Sequence, residues 1–530
     1  MNDIATGQDV ASVWAGTVRT CGDRPFLVWL GADGARQELS YREFDERINR
    51  AANALATLGV GVRDLVAVQL RNSPDFVVYL FALARLGAVT VPIALCAGPA
   101  EVSRMAAACS PAWTIVDAGC ARVHRELRRR APAATPLLVV GGTGPDDDAV
   151  DLDAACASAS PLPPAAAPVD SGALAELLYT SGTTAEPKGV MVTQANLVFS
   201  GQYGVWETGL RPDDRLFTPM PACHSNFQMA ALMPVVVAGA CLVLAEAYSA
   251  SRFWQQVRES DATVIQIISM IVRTLLLQPA DPRDAENRVR EALFFMGLSD
   301  AEKDAFERRF GVRLLNTYGS TESIGWALTD PPVGERRWPS VGRPGLGYEV
   351  GIFGSGGHEL PAGQVGEIRI KGTPGTSIMA GYYGNPAQTQ RVLLPGGWLR
   401  THDLGYRDAD GWFYYVGRDR DVIKRSGENI STAEVEQVLT AHPEIAEAAV
   451  IGVPDPIRDE AVKAFVRRVP GSALTVQDVV DHCRHELIEF KVPSQVEFVD
   501  DFPRTPSMKI EKRLLRQAIP ATPRHNEVER

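Results

Sequence analysis

An apolar stretch around Leu177 runs into a cluster of hydroxyls and glycine. Leu177, Leu178 and Tyr179 lead to Thr180, Ser181, Gly182, Thr183 and Thr184, and Pro187, Lys188 and Gly189 follow before Val190 and Met191. Four hydroxyls beside flexible backbone N–H groups can wrap a polyphosphate, and the lysine adds a point charge. The order Pro-Lys-Gly differs from the Gly-Lys-Ser/Thr of a Walker A loop. The competing reading is an ordinary Ser/Thr/Gly hairpin loop, and the ordering of the run favours the phosphate cradle. His224 and Cys223 lie together in Pro221–Phe227, but no Cys/His/Asn pattern supports Cys223 as a nucleophile.

Seven further segments follow along the chain. They are Asn316-Thr-Tyr-Gly-Ser-Thr-Glu322, Gly366-Glu367-Ile368, Gly381-Tyr382-Tyr383, Trp398-Leu-Arg-Thr-His-Asp403, Gly417-Arg418, Ile423-Lys-Arg-Ser-Gly-Glu-Asn-Ile430 and Pro503-Arg-Thr-Pro-Ser-Met-Lys509. With the hydroxyl loop they resemble, in order, the motif series of the adenylate-forming superfamily. That group contains acyl-CoA synthetases, peptide-synthetase adenylation domains and luciferases. The resemblance covers about residues 20–518. Stretches such as Lys303–Phe306, Arg336–Ser340 and Ile457–Phe465 resemble the crotonobetaine/carnitine–CoA ligase branch.

The resemblance implies an ATP- and Mg²⁺-dependent ligase. It would adenylate a small or medium carboxylic acid, release pyrophosphate and transfer the acyl group to CoA. Both reactants of the first step are anions, so their repulsion must be cancelled while they are aligned. The implied phosphate holders are Thr180, Ser181, Gly182, Thr183, Thr184 and Lys188. Glu322 and Thr183 are the implied metal ligands, hard oxygens for a hard ion. Thr321 would reach the α-phosphate, and Tyr318 would offer a flat face to adenine within the motif Asn316, Thr317, Tyr318, Gly319. Asp403 would accept from the ribose hydroxyls and Arg418 would donate to ribose or phosphate. Tyr415, Lys424 and Gly427 complete the implied nucleotide- and CoA-binding set. Lys509 is the implied catalytic lysine, a positioned charge and not a base. His224 would lie near the carboxylate and the pantetheine path. The acceptor pocket is expected to draw on Ser225, Asn226, Phe227, Ile268, Ser269, Met270, Met296, Gly297, Leu298, Ser320 and Trp326.

Several positions depart from the usual pattern. Ala185 replaces the second loop glycine, and Gln194 stands where His often follows the loop. His402 replaces the glycine before Asp403, Arg420 holds the hinge position and Met508 precedes Lys509 in place of glycine. None removes a group that adenylation needs, and together they bear on the second step. Two alternatives keep the adenylation chemistry. One is a diazotase of secondary metabolism that activates nitrite for transfer to an aromatic amine. The other is a free-standing adenylation enzyme that loads a carrier protein. Absent Walker and kinase motifs disfavour a kinase.

The elements that must carry these residues follow from periodicity. Residues 1–150 alternate helices with short apolar strands: Tyr41–Leu58 and Asp75–Leu86 as helices, Leu65–Leu70 and Val89–Ile93 as strands. Such alternation predicts parallel sheets with helices on both faces, and it resumes from Leu174 to about Leu315. After about 330 the pattern turns to period two, as in Tyr348–Phe353 and Gly366–Lys371. Beyond a candidate hinge at 418–421 an α+β pattern follows, with helices at 432–440 and 475–488 and strands at Ala448–Val453 and Ala461–Val466. The expected fold is α/β. A large N-terminal domain (1–418) holds two doubly wound βαβ subdomains and a small β-barrel subdomain (about 330–416). A small mobile α+β C-terminal domain (419–520) and a polar tail (521–530) complete the chain.

Composition sets outer bounds. The chain has 530 residues, 45% hydrophobic and 22% charged, with a formal net charge of −11. An acidic chain lacks the basic footprint of a nucleic-acid binder. Eight cysteines without a CxxC pair suit neither a disulfide scaffold nor a thiolate zinc cluster, and suit a reducing cytoplasm. The opening residues show no basic-then-apolar leader pattern. Met229–Ala245 is uncharged for 17 residues but is broken by Pro234 and Gly239, so it reads as a buried helix, a turn and a buried strand and not as a membrane span. The expected partners are a small-molecule acid or oxyanion and CoA or an amine as acceptor, with a homodimer as one option for assembly.

Overall fold

The computed structural model describes residues 7–130, 135–143, 149–164, 169–180, 188–295, 298, 300–418, 422–503, 510 and 512–517. Two large sheets form where helices return the chain across a sheet face. One has the spatial order Gly381–Tyr382, Lys188–Thr193, Leu174–Thr180, Val89–Pro92, Leu65–Gln69, Trp113–Asp117, Leu137–Val140, Val150–Asp151. Its last six strands are parallel, and Lys188–Thr193 turns back antiparallel on Leu174–Thr180. The other sheet has nine strands. Leu314–Tyr318, Glu291–Phe295, Val264–Ile268, Arg215–Thr218, Cys241–Ala245 and Pro25–Leu30 are parallel, and antiparallel strands close both edges. Central strands covered on both faces read as unbroken apolar runs. Every residue of Cys241–Ala245 and of Val264–Ile268 is buried, though the latter includes Gln266.

Local signals explain the boundaries. The helix Tyr41–Leu58 starts on a reciprocal cap between Ser40 and Glu43 and stops at Gly59, whose φ is 105°. The next helix begins at Pro74, one residue before the expected Asp75, because Ser73 caps it and proline is tolerated in the first turn. The uncharged stretch after Gln228 is one π-turn (Gln228–Leu232), a short helix (Met233–Ala238) and a strand. Among the described residues no helix is long and apolar enough to cross a membrane.

The period-two region forms a third, antiparallel sheet of Glu349–Phe353, Gly366–Lys371, Trp398–Arg407 and Leu393–Leu394, with Phe413–Arg418 paired to Trp398–Arg407. Among the described residues no ladder joins its ends, so it is an open sheet where the sequence suggests a small barrel.

The chain forms two compact units. One is built on Met1–Leu95, Met105–Thr180 and Lys188–Asp419 and holds the three sheets above; the other is built on Arg420–Arg530 with Cys96–Arg104. The second has its own sheet, ordered Glu428–Ser431, Val422–Arg425, Asp459–Arg468, Ile445–Asp455, with Gln495–Phe498 beside Asp459–Arg468. Helices Thr432–Thr440 and Val476–Glu486 cover a core that includes Ile423, Val435, Leu439, Val450 and Val462.

Candidate active site

The strand Leu314–Tyr318 ends on a tyrosine whose hydroxyl donates to Asp403 Oδ2 at 2.7 Å. Both side chains are buried. Asp403 reaches this place through a bulge. Glu367 pairs with Leu404 and Arg369 with Arg400, so Thr401, His402 and Asp403 together oppose the single Ile368. Thr401 Oγ1 donates to the Ile368 carbonyl at 2.6 Å and accepts the Asp403 N–H at 3.1 Å. His402 takes the left-handed backbone, with φ 59°. Bulges of this kind re-aim a side chain. They also explain why glycine is usual before this aspartate in the resembling family, since only glycine adopts that backbone without strain. The His402 ring lies 3.7 Å from Glu367. Burial acts to raise Glu367, but hydrogen bonds from Arg400 and Arg369 outweigh it and hold the carboxyl below its ordinary value.

Tyr415 completes this corner, its ring 6.1 Å from that of Tyr318 and tilted by 37°. The backbone of Arg418 pairs with Asp403. The structure thus brings together Tyr318, Asp403, Tyr415 and the Arg418 backbone. It does not bring the Asn316 and Thr317 side chains there. Asn316 Nδ2 donates to the Ser340 carbonyl at 2.8 Å, and Thr317 Oγ1 is directed to the Phe294 carbonyl at 3.5 Å. Gly319 has no room for a side chain: a Cβ would stand 2.7 Å from the Gly325 carbonyl and 2.9 Å from the Trp326 ring. Tyr348 anchors the same loop, its hydroxyl accepting the Gly325 N–H at 2.9 Å and lying 2.6 Å from the Ser323 carbonyl.

A second corner gathers charge. Thr180 and Lys188 are paired at the ends of two adjacent strands. Lys188 Nζ sits 5.5 Å over the Tyr382 ring, and the Tyr382 hydroxyl donates to Glu322 Oε1 at 2.9 Å. Tyr382 thus links the lysine to the carboxylate, a role its motif alone did not reveal. Its neighbour Gly381 has φ 144°, and a Cβ there would meet Thr389 at 2.9 Å. The glycine of Pro-Lys-Gly also has a packing reason, since a Cβ on Gly189 would stand 3.1 Å from the Tyr179 ring. Among the described residues no group of three His, Cys, Asp or Glu side chains could hold a metal. One hydroxyl-braced carboxylate fits an ion that keeps most of its ligands from phosphate and water.

His224 stands at the N-cap position of the short helix Ser225–Phe227 without a side-chain capping bond, and Ser225 Oγ is hydrogen-bonded to Thr321 Oγ1 at 3.0 Å. The π-turn follows at once, a feature often found at functional sites. Phe295 and Trp326, with ring centroids 4.4 Å apart, join Ala230, Leu293 and Leu315 in an apolar wall. Ile268 and Ser269 are buried, while Met270, Leu298 and Ser320 are half-buried.

Lys424 and Gly427 belong to the second unit, on the hairpin Val422–Arg425/Glu428–Ser431. Its two turn residues, Ser426 and Gly427, have φ 53° and 86°. Positive φ at both positions is the type I′ turn that suits two-residue hairpins, so the turn itself accounts for Gly427. Ser181, Gly182, Thr183, Thr184, Ala185, Met296, Gly297, Arg420, Met508 and Lys509 lie outside the described residues.

Residues 14–383 match the AMP-binding enzyme family, and residues 434–509 match the AMP-binding enzyme C-terminal domain. The chain belongs to this family, the adenylate-forming superfamily. Crotonobetaine/carnitine–CoA ligase of Salmonella paratyphi A is 42% identical over 521 residues, covering 97% of this chain and 100% of that protein. Among solved structures, amide bond synthetase McbA from Marinactinospora thermotolerans superposes with a TM-score of 0.84 at 27% identity, covering 95% of this chain and 99% of that one. The o-succinylbenzoate CoA synthetase MenE from Bacillus subtilis, bound to a product analogue, gives 0.82 at 25% identity, covering 96% and 99%.

Proposed function

We propose that this chain is an AMP-forming acid–CoA ligase that adenylates a small or medium carboxylic acid and passes the acyl group to CoA. One observation carries the reading. Within one unit, the Tyr318–Asp403 pair and the Lys188–Tyr382–Glu322 linkage stand on the motifs that resemble the superfamily's nucleotide and magnesium motifs. ATP and CoA are substrates here. A carboxylate oxygen of the acid attacks the α-phosphorus of ATP, the new O–P bond forms, and the bond to the β-phosphate oxygen breaks to release pyrophosphate. Tyr318 and Tyr415 would flank adenine, and Asp403 would accept from the ribose. Thr321, held by Ser225 at 3.0 Å, would donate to the α-phosphate. The hydroxyl loop from Thr180 to Thr184, with Lys188, would carry the β- and γ-phosphates. Mg²⁺ held by Glu322 and Thr183 would supply positive charge to the departing pyrophosphate. Lys509 is assigned the remaining charge between the two anions, and His224 a place beside the carboxylate.

In the second step the CoA thiolate attacks the acyl carbonyl, the C–O bond to AMP breaks and AMP leaves. Lys424 and Gly427 are assigned to the CoA arm. This reading divides the chain at 418–419 into a large nucleotide domain and a small domain that supplies Lys509 and Gly427, and it suits a cytoplasmic setting. Full-length protein given ATP, Mg²⁺ and a panel of acids tests it. AMP and pyrophosphate should form, with thioester appearing only when CoA is added; ADP as the product would contradict it. A second reading, transfer to an amine, is favoured by the likeness to the amide bond synthetase. AMP release that responds to an aromatic amine, with nitrite included among the oxyanions, and not to CoA would select it.

A further inference from the structure

Beneath the Ser225–Phe227 turn, a chain of hydrogen bonds fixes the polarity of Asn226, a residue of the expected acceptor pocket two positions from His224, which is expected near the carboxylate. The Asn226 backbone carbonyl can only accept, and Gln266 Nε2 donates to it at 2.8 Å. The same nitrogen lies 2.6 Å from Asn226 Oδ1, so the Asn226 amide must turn its oxygen inward. At its other end, Gln266 Oε1 accepts from Thr218 Oγ1 at 2.6 Å, and that hydroxyl accepts the Met220 N–H at 3.1 Å. Every hydrogen in the chain therefore has one consistent place. Thr218 and Gln266 are both 0% exposed. In such an interior an unmade bond costs more than a made one gains, which locks the arrangement.

The amide of Asn226 is left with its donors only. Among the described residues none accepts from Nδ2. The side chain is half-buried, next to the Ser225 that touches Thr321, and one turn before Ala230 of the Phe295–Trp326 wall. We propose that the acid substrate carries an oxygen hydrogen-bond acceptor on its chain (a hydroxyl, ether or carbonyl) that Asn226 Nδ2 reads, with Gln266 as the positioning residue that sets Asn226's polarity. This deepens the acid–CoA ligase reading and rests on it.

The test is acid-dependent ATP–pyrophosphate exchange by the full chain. Butyrate, pentanoate and hexanoate are compared with counterparts bearing a single hydroxyl or oxo group at each successive carbon. The best oxygenated acid should exceed its plain partner in kcat/KM by at least about tenfold, because a site built to hydrogen-bond a group rejects the analogue that lacks it. Asn226→Asp keeps the oxygen facing Gln266 and puts a second oxygen where the N–H₂ stood, so the ratio for an oxo acid, whose carbonyl can only accept, should fall to near one, whereas a hydroxyl could still donate to the new carboxylate. Gln266→Leu lets the Asn226 amide rotate. It should lower the ratio through KM for the oxygenated acid, whereas a merely structural loss would lower both acids alike. The ratio is internal to each variant, and Asn226→Leu supplies it where Asn226→Asp fails to fold. Equal use of plain and oxygenated acids by the parent chain, or an unchanged oxo-acid ratio in Asn226→Asp, overturns the inference and leaves the ligase reading standing. No exchange with any acid overturns both.

Discussion

Tyr382 touches both charged groups of the corner proposed to hold phosphate and magnesium, its ring beneath Lys188 and its hydroxyl on Glu322. Hydrogen bonds to charged groups contribute roughly 1.5 kcal/mol or more, close to a tenfold effect. Tyr382→Phe should therefore raise the Mg²⁺ concentration needed for half-maximal pyrophosphate exchange by about tenfold with little change in Tm; an unchanged Mg²⁺ requirement would remove Tyr382 from the site. Glu176 poses a different problem on the strand that leads to Thr180. It is fully buried, neither carboxyl oxygen has a hydrogen-bond partner among the described residues, and burial pushes its pKa from 4.5 up to about 8. Between those values the folded chain keeps a proton that the unfolded chain releases. Stability from this group is therefore complete below pH 4.5 and declines as pH rises to about 8. Burial raises Glu207 to about 8 as well, so it shares the window. Glu176→Gln should flatten part of that decline and raise Tm at pH 8; an unaltered slope in thermal melts across this range would contradict the assignment. The motifs pointed to Lys188, Glu322, Tyr318 and Asp403. Tyr382 and Gln266 were not legible as site residues, because their roles depend on partners far away in sequence. Asn316 stood in a motif, yet its side chain turns to the Ser340 carbonyl.

Strands and helices were legible at the level of elements because burial repeats every two or three to four residues. Tyr41–Leu58 and Thr432–Thr440 form at the expected bounds, framed by polar caps or turn residues. The bulge at Thr401–Asp403 was not legible, since an extra residue in one strand is defined only against its partner. His402 marked it from the sequence only as a departure, and φ 59° supplies the reason. A left-handed backbone costs a non-glycine residue about 1–2 kcal/mol, and more for a β-branched one. His402→Gly should accordingly raise stability by about 1 kcal/mol in urea unfolding and His402→Val should lower it by a similar amount; a glycine variant less stable than the parent would mean that the contact with Glu367 outweighs the backbone strain. The π-turn after Phe227 was hidden too, inside a run whose apolar pattern fits any buried helix.

For the whole molecule, the sequence foretold α/β sheets and a separate α+β domain beginning at residue 419, and two units with their own cores are present. It suggested a small barrel for the third sheet, but closure depends on pairing between strands distant in the chain, and among the described residues no ladder joins that sheet's ends. Lys509→Ala should abolish adenylate formation while ATP binding, measured by titration, stays close to that of the parent; equal adenylate yield would move the neutralising charge to another residue. The central claim is that an oxygen of the acid attacks the α-phosphate of ATP. Turnover of an ¹⁸O-labelled carboxylate with ATP, Mg²⁺ and CoA, followed by mass spectrometry of the nucleotide, tests it most directly. A single ¹⁸O atom delivered into AMP is the predicted result, and unlabelled AMP, or label in inorganic phosphate beside ADP, would contradict it.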